Sequence, residues 1–137
     1  MAKILVVDDD SDILETLRFA FEQEGHAVRV EADGIAALAR ARQEPPDLAL
    51  LDVMLPGLNG YEVSRRLKDD MRRGALPSFP ILMLTARRVA TGERLQFLAA
   101  WSQADATLWK PYDLGVLLFQ VREALATAGT AVSGAAP

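Results

Sequence analysis

Asp8, Asp9 and Asp10 form one run directly behind the apolar stretch Ile4-Leu5-Val6-Val7, and Asp52 stands directly behind Leu48-Ala49-Leu50-Leu51. Thr85 closes a third apolar stretch, Ile81–Leu84, and Lys110 closes a fourth, Ala106–Trp109. Carboxylates gathered at one place repel one another and raise one another's pKa, and a divalent cation removes that repulsion. An all-oxygen donor set of this kind suits Mg2+, which keeps several waters and takes only one or two carboxylates. A lysine and a hydroxyl beside them supply a point charge and a hydrogen-bond donor for an incoming anionic oxygen. Carboxylate, Mg2+, lysine and threonine together describe a phosphoryl-transfer site in which a carboxylate can itself be the nucleophile. Taken singly, each residue has an ordinary explanation. An aspartate after a strand often caps the next helix, as Asp10 or Asp12 could, and Thr85 could do the same. The joint placement is what points to chemistry.

Bringing these residues together needs elements that end at one edge. Short apolar runs read as strands over Lys3–Val7, Ala27–Val30, Leu48–Leu51, Ile81–Leu84 and Ala106–Trp109. Ile13, Leu14, Leu17, Ala20 and Phe21 recur at helical spacing, with Asp12 and Glu15 fitting a capping box and Gly25 a stop. Ile35–Arg42 is a short Ala-rich helix closed by Pro45-Pro46. Leu55-Pro56-Gly57-Leu58-Asn59-Gly60 is turn chemistry, and the helix after it turns Tyr61, Val63, Leu67 and Met71 inward. Leu95, Phe97, Leu98 and Trp101 mark a less periodic helix; Leu114, Leu117, Leu118, Val121 and Leu125 mark an amphipathic last one. Strands alternating with helices imply parallel pairing through right-handed crossovers, hence an α/β doubly wound fold with a sheet covered on both faces. In such a sheet the carboxyl ends of the strands share one edge, where these folds place their sites.

Composition sets the limits. The chain has 137 residues, 50% of them hydrophobic, no cysteine and a formal net charge of −4. That length suits one domain, and the missing cysteines exclude disulfides, thiolate catalysis and zinc–thiolate sites, so a reducing cytoplasm is the expected address. No apolar window of about 18 residues exists to span a membrane, and the N-terminus has no signal-peptide core. An acidic balance argues against direct nucleic acid binding. Residues 127–137 are small, uncharged and unpatterned, so the expected division is a domain over 1–126 and a flexible tail or linker after it. His26, the only histidine, is expected at the surface, and the basic stretch Arg65–Arg73 is expected as an exposed helix face.

Lys3-Ile4-Leu5-Val6-Val7-Asp8-Asp9-Asp10, Pro46-Asp47-Leu48-Ala49-Leu50-Leu51-Asp52-Val53-Met54-Leu55-Pro56-Gly57 with Gly60, Leu84-Thr85-Ala86 and Lys110-Pro111 together resemble the receiver domain of two-component response regulators, the CheY-like superfamily. The resemblance covers residues 2 to about 125. It implies a flavodoxin-like three-layer sandwich with a five-stranded parallel sheet in the order 2-1-3-4-5. It makes Asp52 the phospho-acceptor, with Mg2+ held by Asp8, Asp9, Asp52 and the backbone carbonyl of Met54. Thr85 becomes the switch hydroxyl and Lys110 the partner of the phosphoryl oxygens. The implied donor is a phosphohistidine on a sensor histidine kinase or phosphotransfer protein. The implied output is a changed surface of helix four, strand five and helix five, read by a downstream effector protein. By the same resemblance Met54 and Arg87 tune dephosphorylation, and the chain is a monomer or weak homodimer that catalyses only its own phosphorylation and dephosphorylation.

Some residues depart from the family pattern. Thr107 stands where an aromatic normally moves with the switch hydroxyl. Trp109, two residues on, shares its side of the strand and is expected either to take over that aromatic surface or simply to cover the sheet edge. Gln120 stands where many dimerising receivers carry an arginine, and the interval from Thr85 to Lys110 is longer than usual. Two other readings stay open. One is a receiver-like scaffold that binds a partner without phosphorylation. The other is a haloacid-dehalogenase-type phosphohydrolase with Asp8 as nucleophile and Asp10 as general acid. The second lacks chain length for a cap, and no separate DNA-binding output domain fits within these residues.

Overall fold

The computed structural model of the protein describes residues 1–86 and 92–135. Arg87 lies outside them. In chain order the elements are β1 (Lys3–Val7), α1 (Ser11–Gln23), β2 (Ala27–Glu31), α2 (Gly34–Gln43), β3 (Leu48–Asp52), α3 (Gly60–Arg72), β4 (Ile81–Ala86), α4 (Gly92–Ser102), β5 (Ala106–Lys110) and α5 (Leu114–Ala135). The strands form one sheet in the order β2-β1-β3-β4-β5, every pair parallel. The register sets Val7 opposite Leu51, Asp52 opposite Leu84 and Thr85 opposite Trp109, so the strand ends that carry polar residues fall along one edge.

Side chains alternate across a strand, and both faces of this sheet are covered, which is why the strands read as continuous apolar runs. Leu5, Val7, Ala49, Leu51, Ile81 and Met83 pack on one face with residues of α2 and α3, and with Leu98 and Trp101 of α4 at the margin. Ile4, Val6, Leu48, Leu50, Leu82 and Leu84 pack on the other with Leu14, Leu17 and Phe21 of α1 and Leu117 and Val121 of α5. Each large side chain fully buried in this way stabilises the fold by about 1.5–3 kcal/mol relative to exposure.

Five details sharpen the sequence-based expectations or differ from them. The α1 cap is Asp10, whose carboxylate accepts from the amides of Asp12 at 2.9 Å and Ile13 at 3.4 Å; Asp12 falls in the first turn and forms no capping box. Phe97 is 67% exposed, because α4 turns only Leu98 and Trp101 of its apolar residues among those described toward the core. α5 continues to Ala135, so the backbone of 127–135 is helical rather than an unpatterned tail. Helix propagation is easier than nucleation, so a helix already nucleated by packed turns can run on past the last residue of its apolar pattern. His26 is half-buried, accepting from the Ala2 amide at 3.1 Å and standing edge-on to Phe21. The stretch Arg65–Arg73 is bound into its neighbours rather than simply exposed: Arg65 reaches the Trp101 carbonyl at 3.0 Å, Lys68 pairs with Asp105 at 2.7 Å, and Arg73 pairs with Asp70.

Candidate functional site

The site is built by how β1 and β3 leave the sheet. Asp8 keeps its amide on the Glu31 carbonyl at 3.2 Å, one residue past the end of β1, so it stays buried at the sheet edge. The Asp10 amide donates to Asp8 Oδ1 at 3.0 Å, which turns the chain into α1 and commits Asp10 to capping. Asp10 is thus committed to its own helix through Oδ1, which weighs against the general-acid role of the phosphohydrolase reading. Asp9 between them is exposed.

Asp52 closes β3 and is 4% exposed. The following residue, Val53, still donates to the Leu84 carbonyl at 2.9 Å, and its own carbonyl accepts from Gly60 at 2.9 Å. That clamp folds the loop back so that α3 starts against Asp52. A Cβ on Gly60 would lie 2.2 Å from the Asp52 carbonyl oxygen, so only glycine allows the approach. Gly57 takes the left-handed φ of +79° that the turn needs. Met54 lies in this loop with its side chain 60% exposed.

Lys110 arrives from the end of β5, before a cis peptide bond to Pro111. Its ammonium lies 2.9 Å from Asp8 Oδ2 and 3.3 Å from Asp52 Oδ1. Asp8, Asp9 and Asp52 each bring a carboxylate oxygen to within 4.8 Å of the others. Hard, anionic oxygens in this arrangement fit Mg2+. Thr85 is fully buried on β4, and its hydroxyl makes one long hydrogen bond to the Ala86 carbonyl, at 3.5 Å. Thr107 and Trp109 lie on the face of β5 opposite Ala106 and Leu108, which join the α1/α5 cluster; Thr107 is exposed and Trp109 partly buried.

The electrostatics are unbalanced. Burial raises the pKa of Asp52, the charge of Asp8 raises it further, Lys110 opposes both by charge and hydrogen bond, and Asp9 adds a little more. For Lys110, burial works against the ammonium, but the hydrogen bond to Asp8 and the charge of Asp52 outweigh it and hold the group above its ordinary value. Among the described residues, Lys110 is the one cation paired with this group of three carboxylates, and it reaches two of them, Asp8 and Asp52. Asp8, Asp9, Asp52 and Lys110 converge as the sequence predicts, with Thr85 on the next strand end. Sequence reasoning placed Tyr61 only in the core. It is 3% exposed, and among the described residues its hydroxyl completes no well-formed hydrogen bond. The one available signal was that Tyr61 follows the glycine pressed onto Asp52.

The family model of the response regulator receiver domain matches residues 4–122. The transcriptional regulatory protein CseB of Streptomyces coelicolor is 38% identical over 131 residues, which are 96% of this chain and 52% of that protein. The DNA-binding response regulator MtrA of Mycolicibacterium paratuberculosis is 41% identical over 123 residues, 90% of this chain and 51% of that protein. This chain therefore spans about half the length of the curated relatives it matches. Among solved structures, a CheY-like receiver domain protein from Methanospirillum hungatei superposes with a TM-score of 0.82 at 28% identity, covering 95% of this chain and 98% of that one. The exclusion of nucleic acid drawn from net charge thus does not reach a longer protein of this kind, since a relative of twice the length is named for DNA binding. Sheet order, strand-end chemistry and these likenesses agree: the chain belongs to the receiver domain family of two-component response regulators.

Proposed function

We propose that Asp52 is the residue that accepts the phosphoryl group, with a sensor histidine kinase or phosphotransfer protein as donor. The observation that carries this is the Lys110 ammonium reaching both Asp8 and Asp52 at the sheet edge. One ionised oxygen of Asp52 attacks phosphorus, the phosphorus–nitrogen bond of the phosphohistidine breaks, and its electron pair leaves with the imidazole. Lys110 follows the charge onto the phosphoryl oxygens, a role suited to a compact ammonium on a flexible stem. Mg2+ held by Asp8, Asp9, Asp52 and the Met54 carbonyl would neutralise charge on the same oxygens. Buried Thr85 then donates its hydroxyl to the phosphoryl group, and the β5 surface carrying Thr107 and Trp109 changes with it. Intact-mass measurement after acetyl phosphate and Mg2+ tests the assignment. The expected result is one phosphoryl adduct on the wild type and none on Asp52→Ala. An adduct on Asp8 would return the case to a phosphohydrolase, and partner binding indifferent to Asp52→Asn would favour the unphosphorylated scaffold.

Trp109 stands opposite Thr85, on the face where Thr107 replaces an aromatic, and is proposed as the moving aromatic surface. In a Trp101→Phe background, beryllofluoride with Mg2+ should change the remaining tryptophan fluorescence; an unchanged spectrum overturns that role. The cytoplasm is the proposed address, and among the described residues no helix is long and apolar enough to cross a membrane. In a longer regulator like the relatives, the phosphorylated surface would act on a transcriptional output, with DNA contact made outside this chain.

A further inference from the structure

Among the described residues, one buried side-chain polar atom lacks a hydrogen-bond partner: the hydroxyl of Tyr61. An unmade hydrogen bond in a dry interior is costly enough to need a reason, and a phenylalanine would fill the same space. The surroundings supply one. Tyr61 sits in the first turn of α3, fixed beneath the acceptor by Gly60 against the Asp52 carbonyl and by the Gly60 amide on the Val53 carbonyl. It packs in the cluster that includes Ile81 and Met83. Thr85 is the next residue of β4 on that face, since strand side chains alternate. Burial raises the phenol's pKa, and a weak interaction with the Thr85 side chain, short of a well-formed hydrogen bond, offsets part of the rise. Thr85 is itself poorly satisfied, with its one long bond to the Ala86 carbonyl at 3.5 Å. Two buried hydroxyls thus face each other across an incomplete contact, and among the described residues neither makes a short hydrogen bond.

The geometry points to Tyr61 as the positioning residue for Thr85: when the Thr85 hydroxyl turns to donate to the phosphoryl group on Asp52, the Tyr61 phenol donates to Thr85 Oγ1. No proton changes owner. The phosphorylated state gains a two-step hydrogen-bond chain, Tyr61 to Thr85 to phosphoryl oxygen, in which each donor strengthens the next. The resting state holds the phenol unsatisfied. The Tyr61 hydroxyl therefore biases the switch toward its active form, and does so from α3, on the side where Thr107 leaves the usual aromatic position without a ring.

This rests on Asp52 as the phospho-acceptor, and the test separates the two. Beryllofluoride binding in the presence of Mg2+, followed by calorimetry, and thermal melting without it are compared for wild type, Tyr61→Phe, Thr85→Ala and the double variant. Expected is an affinity about three- to tenfold weaker in Tyr61→Phe than in wild type, the scale of one hydrogen bond. No further loss is expected when the substitution is made on Thr85→Ala, and the melting temperature of Tyr61→Phe should be equal or higher. A merely structural hydroxyl would lower the melting temperature and weaken binding equally in both backgrounds. That result, or equal affinity in Tyr61→Phe and wild type, overturns the proposal while leaving Asp52 in place. A wild-type chain that does not bind beryllofluoride overturns both.

Discussion

Asp52 and Asp70 are buried to nearly the same degree, 4% and 3% exposed, yet their carboxyl groups are driven in opposite directions. Burial raises both. At Asp70, on α3, hydrogen bonds from Arg42 and Arg73 and the charges of the same two arginines overcome it, and the pKa falls below the ordinary carboxylate value. Arg42 Nε stands 2.8 Å from Asp70 Oδ2, joining α2 to α3. At Asp52, Asp8 adds to the effect of burial, and the one nearby ammonium is shared with Asp8. The interior thus over-neutralises a carboxylate whose work is structural and under-neutralises the one at the sheet edge. That residual negative charge would be offset by a divalent cation at the edge, as the proposed phosphoryl acceptance requires.

The widest test of this contrast is to remove each charge. Asp70→Asn should destabilise the fold by about 1–3 kcal/mol, because a buried carboxylate bonded to two cations is replaced by a neutral acceptor. Arg42 is 47% exposed and Arg73 68% exposed, so both can rehydrate, which keeps the loss within that range. Asp52→Asn should instead raise the melting temperature in metal-free buffer, since it removes one of the mutually repelling carboxylates. Denaturation of both variants beside wild type reads the difference. A loss of stability in Asp52→Asn would mean that Lys110 already balances the edge.

The two carboxylates were not equally legible in the sequence. Asp52 announces itself because strand geometry is local: an acid directly after four apolar residues must sit at a strand end, and parallel strands put such ends together. The same reasoning found Asp8, Asp9, Thr85 and Lys110 without any knowledge of packing. Asp70 lies inside a run of mixed charge, Lys68-Asp69-Asp70-Met71-Arg72-Arg73, where helical spacing gives a face but not a neighbour. Its partner Arg42 is 28 residues away, and the pairing depends on how α2 lies against α3. The end of α5 was hidden for a related reason. The last turns carry no apolar repeat, so periodicity stops before the helix does. Tyr61 was legible as core, but whether its hydroxyl finds a partner is decided by atoms on β4.

Acid titration of stability should separate the pair by sign. A carboxyl whose folded pKa lies below the unfolded value of about 3.9 contributes stability that is fully present above that value and is lost as pH falls through the folded one. This is Asp70. The gap between wild type and Asp70→Asn should therefore be widest above about pH 4 and close at lower pH. A carboxyl whose folded pKa is raised behaves oppositely: its ionised form is disfavoured in the fold, so stability falls as pH rises from the unfolded value through the folded one. The advantage of Asp52→Asn should accordingly be absent at low pH and open as pH rises past that value. Parallel pH profiles for the two variants would erase the distinction.

The smallest effect is expected on α3 itself, between two adjacent arginines. Arg65 donates to the Trp101 carbonyl at 3.0 Å and lies 5.4 Å from the centre of the Trp101 ring, so it ties α3 to α4 through both charge and stacking. Arg65 also pairs with Asp69 along its own helix at 3.4 Å, whereas among the described residues Arg66 pairs only along its helix, 3.3 Å from Glu62, with both side chains well exposed. An exposed pair at this spacing contributes about 0.3–0.5 kcal/mol, screened further by salt. Arg66→Ala should thus change stability by less than about 0.5 kcal/mol, while Arg65→Ala should lose more through its aromatic and carbonyl contacts. High salt should shrink the first loss proportionally more than the second, because the Arg65 contacts to Trp101 are part-buried while the Arg66 pair is exposed. Equal losses would place both arginines on a merely solvated face and remove the α3–α4 tie from the account of how the switch surface is held.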